Sequence, residues 1–212
     1  MKTTLAANAS KKLRESSGLR DHGIAVRRGS CMSYRVMPHP VSGQDRIYLA
    51  FNTGSNVSIV VEVDPRTGRC VQYETDKGCE APWDMEPTPD GRLLVTSVTG
   101  TLSELDPARR TFKVVGQAKM WIWNLCCGAD GRYYLGGSTP AKLYRFDRAT
   151  RRMEDLGIID AREKMIRLIE ADADGFVYMM AGFEAAKAYS YEIATGRVRK
   201  ILPVGEERTG LR

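Results

Sequence analysis

Residues 89–116 read PDGRLLVTSVTGTLSELDPARRTFKVVG, and their reading decides the fold. Asp-Gly makes a tight reversal because glycine accepts positive φ. The runs LLVTS, TLSEL and TFKVV that follow are short and rich in aliphatic residues and threonine, the composition of strands. Between the last two, Asp106 opens a Pro–Ala turn in which its carboxylate can accept a backbone hydrogen bond.

Working outward, the same pattern recurs. VEVDPRTGRCVQYE, SELDPARRTFKVVG, YRFDRATRRMEDLG and YSYEIATGRVRKIL share an apolar strand, an acid, a short turn and a returning strand. Their acids are Asp64, Asp106, Asp147 and Glu192, separated by 42, 41 and 45 residues. Propeller blades repeat at about 40–45 residues. The Asp-Gly reversal precedes three of these turns, as PDGR, ADGR and ADGF, and the first repeat replaces it with HPVSGQDR. Each unit therefore reads as four strands. The innermost are expected at 33–37, 83–87, 122–126 and 166–170, and the outermost near 70–73, 111–115, 153–156 and 198–202.

A lone four-stranded sheet leaves an apolar face exposed, and radial packing buries one blade against the next. The expected fold is an all-β propeller with four blades of four antiparallel strands, closed alone or forming part of a larger ring. A β-sandwich is the competing architecture, but it gives no reason for turns at so constant an interval. No spare strand is available to lock first blade to last, so two chains completing an eight-bladed ring is a serious alternative to a closed monomer. The expected organisation is an arm or short helix over 1–30, with Leu5, Leu13 and Leu19 on it, the propeller or half-propeller over 31–204, and a polar tail over 205–212.

Composition narrows the partners. The chain has 212 residues, 32 basic and 26 acidic, for a formal charge of +6. That excess is spread along the chain without a nucleic-acid-binding motif, so no nucleic acid is expected. No apolar run is long enough to span a bilayer, so no membrane is expected either. The opening residues lack the apolar core of a secretory signal, and the five cysteines are odd in number. Together these lead to an expectation of reduced thiols and a cytoplasmic location. Adjacent Cys126 and Cys127 would face opposite ways in a strand, against a shared zinc site.

The stretches WDMEPTPDGRLLVTSVTGTLSELDP, WNLCCGADGRYYLGGSTPAKLYRFD and IRLIEADADGFVYMMAG resemble the large bacterial propeller group of streptogramin-lyase-like, NHL-like and gluconolactonase-like proteins. The resemblance runs from about Ser33 to Leu202 and specifies blade construction better than chemistry. It implies a divalent cation in the central opening of lactonase-like members, held by Glu, Asn and Asp, and histidine and glutamate near a metal in the lyase-like ones. Here the matching inner-strand positions hold Asp84, Asn124 and either Arg167 or Leu168, with Glu170 beyond. The two histidines, His22 and His39, do not fall in the corresponding later blades.

Several residues stand out on their own chemistry. Asp84 and Asn124 each lie seven residues before the glycine of an Asp-Gly turn, which sets them level on adjacent inner strands. Their oxygens suit calcium or magnesium, or sugar hydroxyls, or simply backbone groups and channel waters. Trp83, Trp121 and Trp123 begin two inner strands and could stack on a ligand ring or pack between blades. In a regular strand, Trp121 and Trp123 would share one side, and Ile122 and Asn124 the other. Glu170 is a candidate general base and Arg167 a candidate clamp for a carboxylate or oxyanion. Arg35, Lys119 and Lys164 suggest a basic rim. His39, between two prolines in MPHPVSGQDR, has the pKa range for acid–base work but no visible partner.

With no complete catalytic constellation, the leading expectation is a noncatalytic propeller module binding a small polar or acidic ligand or a protein partner. The alternative is a metal-dependent hydrolase or lyase acting on a lactone or polar cyclic substrate. There Asp84 and Asn124 would hold the cation, Glu170 would move a proton and Arg167 would stabilise negative charge.

Overall fold

A computed structural model describes residues 29–54, 56–76, 78–182 and 187–202. Nearly all of the expected arm, the expected tail and His22 lie outside the described residues. Among the described residues sixteen strands form four separate sheets, each antiparallel and in chain order. The first holds β1 (Ser30–Pro38), β2 (Asp45–Asn52), β3 (Ile59–Val63) and β4 (Cys70–Glu74). The second holds β5 (Pro82–Pro87), β6 (Leu93–Ser97), β7 (Thr101–Asp106) and β8 (Thr111–Gln117). The third holds β9 (Trp121–Cys127), β10 (Tyr133–Ser138), β11 (Ala141–Asp147) and β12 (Arg152–Asp160). The fourth holds β13 (Ile166–Ala171), β14 (Phe176–Ala181), β15 (Lys187–Glu192) and β16 (Arg197–Lys200). These are the four blades of a propeller-like arrangement.

The repeated acids act as the turn chemistry requires. Asp64, Asp106 and Asp147 accept backbone N–H groups two or three residues on, at 2.8, 3.0 and 3.0 Å. Glu192, one methylene longer, instead takes the Thr195 hydroxyl at 2.7 Å and Arg197 at 2.8 Å. Gly91, Gly131 and Gly175 of the Asp-Gly turns all have positive φ, which a side chain would oppose.

Side-chain alternation then builds three cores, one in each gap between neighbouring blades. Tyr48 and Ala50 of β2 meet Met85, Leu93 and Val95 of the second blade. Leu94, on the opposite face of β6, joins Ile122, Leu125, Tyr133 and Leu135 of the third. Tyr134 and Leu143 turn the other way, onto Ile166, Ile169, Val177 and Met179 of the fourth. Each such side chain contributes roughly 1.5–3 kcal/mol by leaving water, so the stability of the fold lies between blades.

Each inner strand also carries a register shift near its start: between Cys31 and Ser33, between Pro82 and Met85, opposite Gly136 and Gly137, and between Ile166 and Leu168. A bulge inserts a residue and resets alternation. Ile122 and Leu125, three apart, therefore pack in the same core, while Asn124 reaches the fourth blade. The expectation that Ile122 and Asn124 share a side fails because it assumed a regular strand.

Past the bulges, register sets the four inner strands level. Arg35 lies opposite Tyr48, Cys126 opposite Tyr134, Glu86 opposite Leu94 and Glu170 opposite Tyr178. Arg35, Glu86, Cys126 and Glu170 are thus equivalent positions on successive blades. β1 packs beside β5, β5 beside β9 and β9 beside β13. Among the described residues β13 makes no comparable contact with β1, so the four blades form an arc whose two ends do not meet.

Candidate functional site

The inner edge of each blade is a strand with one unpaired side, and there the polar residues gather. Asp84 is the hub. Its Oδ1 accepts from Ser33 Oγ at 3.0 Å, Arg35 Nη2 at 3.0 Å and its neighbour Met85 N at 2.8 Å. Its Oδ2 accepts from Leu125 N on β9 at 3.4 Å. Asp84 therefore ties together the inner strands of three blades.

Glu86, two residues on and on the same face, is the group that reading the sequence missed. Burial pushes its carboxyl up to about 6, Arg35 at 3.8 Å opposes the shift, and Asp84 and Glu170 add to it. A carboxyl that titrates near neutrality is suited to moving protons. The signal was present in WDMEP, where alternation after the bulge puts Asp84 and Glu86 together, but the repeat drew attention to Asp84 alone. Burial also raises the Cys126 thiol, reinforced by Glu170 and Glu86, so this thiol stays protonated and is a poor nucleophile. Glu170 is exposed near the open end of the arc, and Arg167, at the bulge of β13, is exposed as well.

Asn124 donates from Nδ2 to Ile166 O at 3.3 Å, and its buried Oδ1 has no hydrogen-bond partner among the described residues. Asp84 is thus engaged by four donors, while Asn124 keeps one acceptor oxygen free among the described residues. No group of three His, Cys, Asp or Glu among the described residues could hold a metal ion.

The three tryptophans separate. Trp83 and Trp123 stack on each other across the second and third blades, ring centroids 4.3 Å apart. Their indole N–H groups are buried and unpaired among the described residues. Trp121 is 54% exposed. It lines a cavity of about 610 Å³ with Thr99, Lys119, Met120, Ser138 and Thr139. This cavity lies on the face opposite the Asp-Gly turns, where β8 leads into β9.

His39 sits on the other face, in the β1–β2 turn. Its Nδ1 accepts from Val41 N at 3.2 Å and Ser42 N at 3.4 Å, and its Nε2 lies 3.9 Å from Glu62. An imidazole whose Nδ1 caps two backbone donors is holding a turn, and the inner-strand carboxylates are not its partners. The Asp-Gly face has its own cavity, of about 630 Å³, between the second and third blades. Two of its basic groups are matched by acids: Arg148 reaches Glu104 at 2.6 Å and Asp90 at 2.8 Å, and Arg92 reaches Glu104 at 2.9 Å. Those pairs join the second and third blades.

No family model and no curated protein matches the sequence. Solved structures do. Virginiamycin B lyase from Staphylococcus aureus is similar with a TM-score of 0.71 at 10% identity, over 86% of this chain and 59% of that one. A streptogramin B lyase is similar with a TM-score of 0.67 at 14% identity, over 85% of this chain and 57% of that one. The chain thus has the propeller fold of the streptogramin and virginiamycin B lyases and spans less than two thirds of their length. The extracellular domain of a one-component system from B. thetaiotaomicron is similar with a TM-score of 0.63 at 14% identity, over 85% of this chain and 23% of that one.

That last likeness corrects the expected cytoplasmic location. The same blades occur in a domain outside the cell, and the stability of the fold rests on apolar packing between blades, which depends on no redox compartment. The free cysteines on which the expectation leaned do not fix one. Among the described residues no helix is long and apolar enough to cross a membrane.

Proposed function

We propose that the chain is a lyase-type enzyme acting on a polar cyclic substrate, with Glu86 moving the proton and Arg35 meeting the negative charge that develops. The observation that carries this reading is the Glu86 carboxyl, held up at about 6 beside Arg35 on the inner edge of the arc. The likeness in fold to virginiamycin B lyase supports the reaction class and substrate shape. In this reading the Glu86 carboxylate takes a proton from a carbon next to a carbonyl. The electron pair left behind forms a carbon–carbon double bond as the bond to a ring oxygen breaks. Arg35 stabilises the enolate oxygen meanwhile, and the proton on Glu86 passes to the departing oxygen. The ring opens and no atoms are gained or lost.

The test is to incubate the purified full chain with virginiamycin B and with quinupristin, following each by liquid chromatography and mass spectrometry. The expected product is linear and has the mass of its parent, and Glu86→Gln abolishes its formation. A product heavier by one water assigns hydrolysis instead. No conversion of either probe, or full conversion by Glu86→Gln, overturns the proposal.

A second reading, recognition without turnover, is favoured by Trp121. An exposed indole beside Lys119 and three hydroxyl residues suits a polar ligand bearing a ring. It predicts that the same probes change tryptophan fluorescence on binding and are recovered intact.

A further inference from the structure

The three internal seams define what a blade does at each position, and the two ends of the arc break the rule in matching ways. On the innermost strand, Met85, Leu125 and Ile169 face the preceding blade and are 0, 2 and 4% exposed. Tyr34 holds the equivalent place in the first blade and is 64% exposed. On the second strand, Tyr48, Leu94 and Tyr134 face the following blade and are all 0% exposed. Tyr178 holds that place in the fourth blade and is 40% exposed. Val36 beside Tyr34 and Leu168 beside Tyr178 are also exposed large apolar residues. These are the two halves of one more interblade seam.

We infer that a second copy of this chain supplies the missing halves, the fourth blade of each copy packing on the first blade of the other to close an eight-bladed ring. Continuity with the existing seams gives the mode of packing. Charge gives the register: at the level of Arg35, Glu86, Cys126 and Glu170, closure sets the exposed Glu170 of one copy next to the partner's Arg35. Within the chain, Arg35 already pairs with the acids of the blade that adjoins it, Asp84 at 3.0 Å and Glu86 at 3.8 Å. Each seam joins unlike faces, and a two-fold axis along the ring makes two of them, so assembly stops at two copies.

The experiment is sedimentation equilibrium on the full chain, with two variants of exposed end-face residues that the register sets beside each other across the seam, Leu168→Glu and Tyr34→Lys. The wild type is expected at twice the chain mass. Each variant alone is expected at the chain mass with an unchanged circular dichroism spectrum, because neither side chain packs against its own chain. Mixing them is expected to restore the double mass, since one seam of the mixed ring is wild type and the other joins Glu to Lys. A wild type that stays at the chain mass to about 100 μM, well above the Kd of typical stable interfaces, overturns the inference. So does an open-ended series of larger species. A dimer that persists in either variant alone overturns the unlike-face seam.

Discussion

Arg35 Nη2 lies 3.0 Å from Asp84 Oδ1, and through this pair the first blade is joined to the second at their inner edges. Both side chains are partly buried, and Asp84 also accepts from Ser33 and two backbone N–H groups. Replacing Asp84 by Ala strands these donors and leaves Arg35 with Glu86, at 3.8 Å, as its remaining acidic partner among the described residues.

Asp84→Ala is therefore expected to cost about 2–3 kcal/mol in urea unfolding, because removing one member of a hydrogen-bonded ion pair leaves the others unsatisfied. Asp84→Asn keeps the acceptor and should lose about half as much. Calcium or magnesium at millimolar concentration is expected to leave the melting temperature of the wild type unchanged. A rise of several degrees would show that the carboxylate abandons Arg35 for a cation.

Glu86 gives a pH dependence of definite sign. Its carboxyl titrates at about 6 in the folded chain against an ordinary 4.5. A raised value means that the folded state holds the proton more tightly. This contribution to stability is complete below about pH 4.5 and lost as pH rises to about 6, on the order of 1 kcal/mol once partial exposure is allowed for. Glu86→Gln should flatten that part of the stability profile. In the wild type, turnover should rise with pH in a step centred on about 6, as the base ionises.

Asp160 gives the opposite sign. It accepts from Lys187 at 2.9 Å and from the Tyr189 hydroxyl at 2.5 Å, between the third and fourth blades. Burial alone would push its carboxyl up, but these donors hold it down at about 2. Its contribution is present above about pH 4 and disappears as pH falls to about 2, again roughly 1 kcal/mol. Acid unfolding of Asp160→Asn should show a shallower fall below pH 4 than the wild type.

The tryptophans should respond differently. Trp121→Ala is expected to change stability by less than about 0.5 kcal/mol, as for an exposed site, and to weaken binding of any ring-bearing ligand. Trp123→Ala breaks the stack with Trp83 and should cost about 3 kcal/mol. Trp123→Phe keeps an aromatic ring and removes a buried unpaired donor, so it should lie within about 1 kcal/mol of the wild type. Thermal melts of the three variants separate ligand contact from packing.

The blades were legible in the sequence because their determinants are local. Asp64, Asp106 and Asp147 each cap their own turn within three residues, and LLVTS and its counterparts alternate toward two different blades. The site was less legible because its determinants cross blades. Glu86 matters through Arg35, Asp84 and Glu170, which come from three inner strands, and no spacing along the chain announces that meeting. The bulges hid in the same way. Nothing in WIWNLCC distinguishes a regular strand from one reset at Trp123, yet that one extra residue decides that Asn124 faces the fourth blade. His39 is the converse case: its contacts are local, with Val41 and Ser42 donating to its ring, while its residue type alone made it a candidate.

The closeness of the third and fourth blades can be tested at one atom. Gly136 of β10 lies opposite Asn124 and faces the fourth blade. A Cβ placed there would collide with Asn124 Oδ1 and come within 2.9 Å of Ile166 Cβ and Cγ2. Ile166 is 0% exposed and cannot give way without moving its core. Gly136→Ala should cost about 1–3 kcal/mol by overpacking. Gly116→Ala is the control: its Cβ would meet Phe146 at 3.1 Å and the terminal methyl of Met153 at 3.2 Å. A methionine terminus adapts more readily than a branched core residue, so this variant should lose under about 1 kcal/mol. If Gly136→Ala is no more costly than Gly116→Ala in the same urea titration, the seam between the third and fourth blades is looser than these distances require.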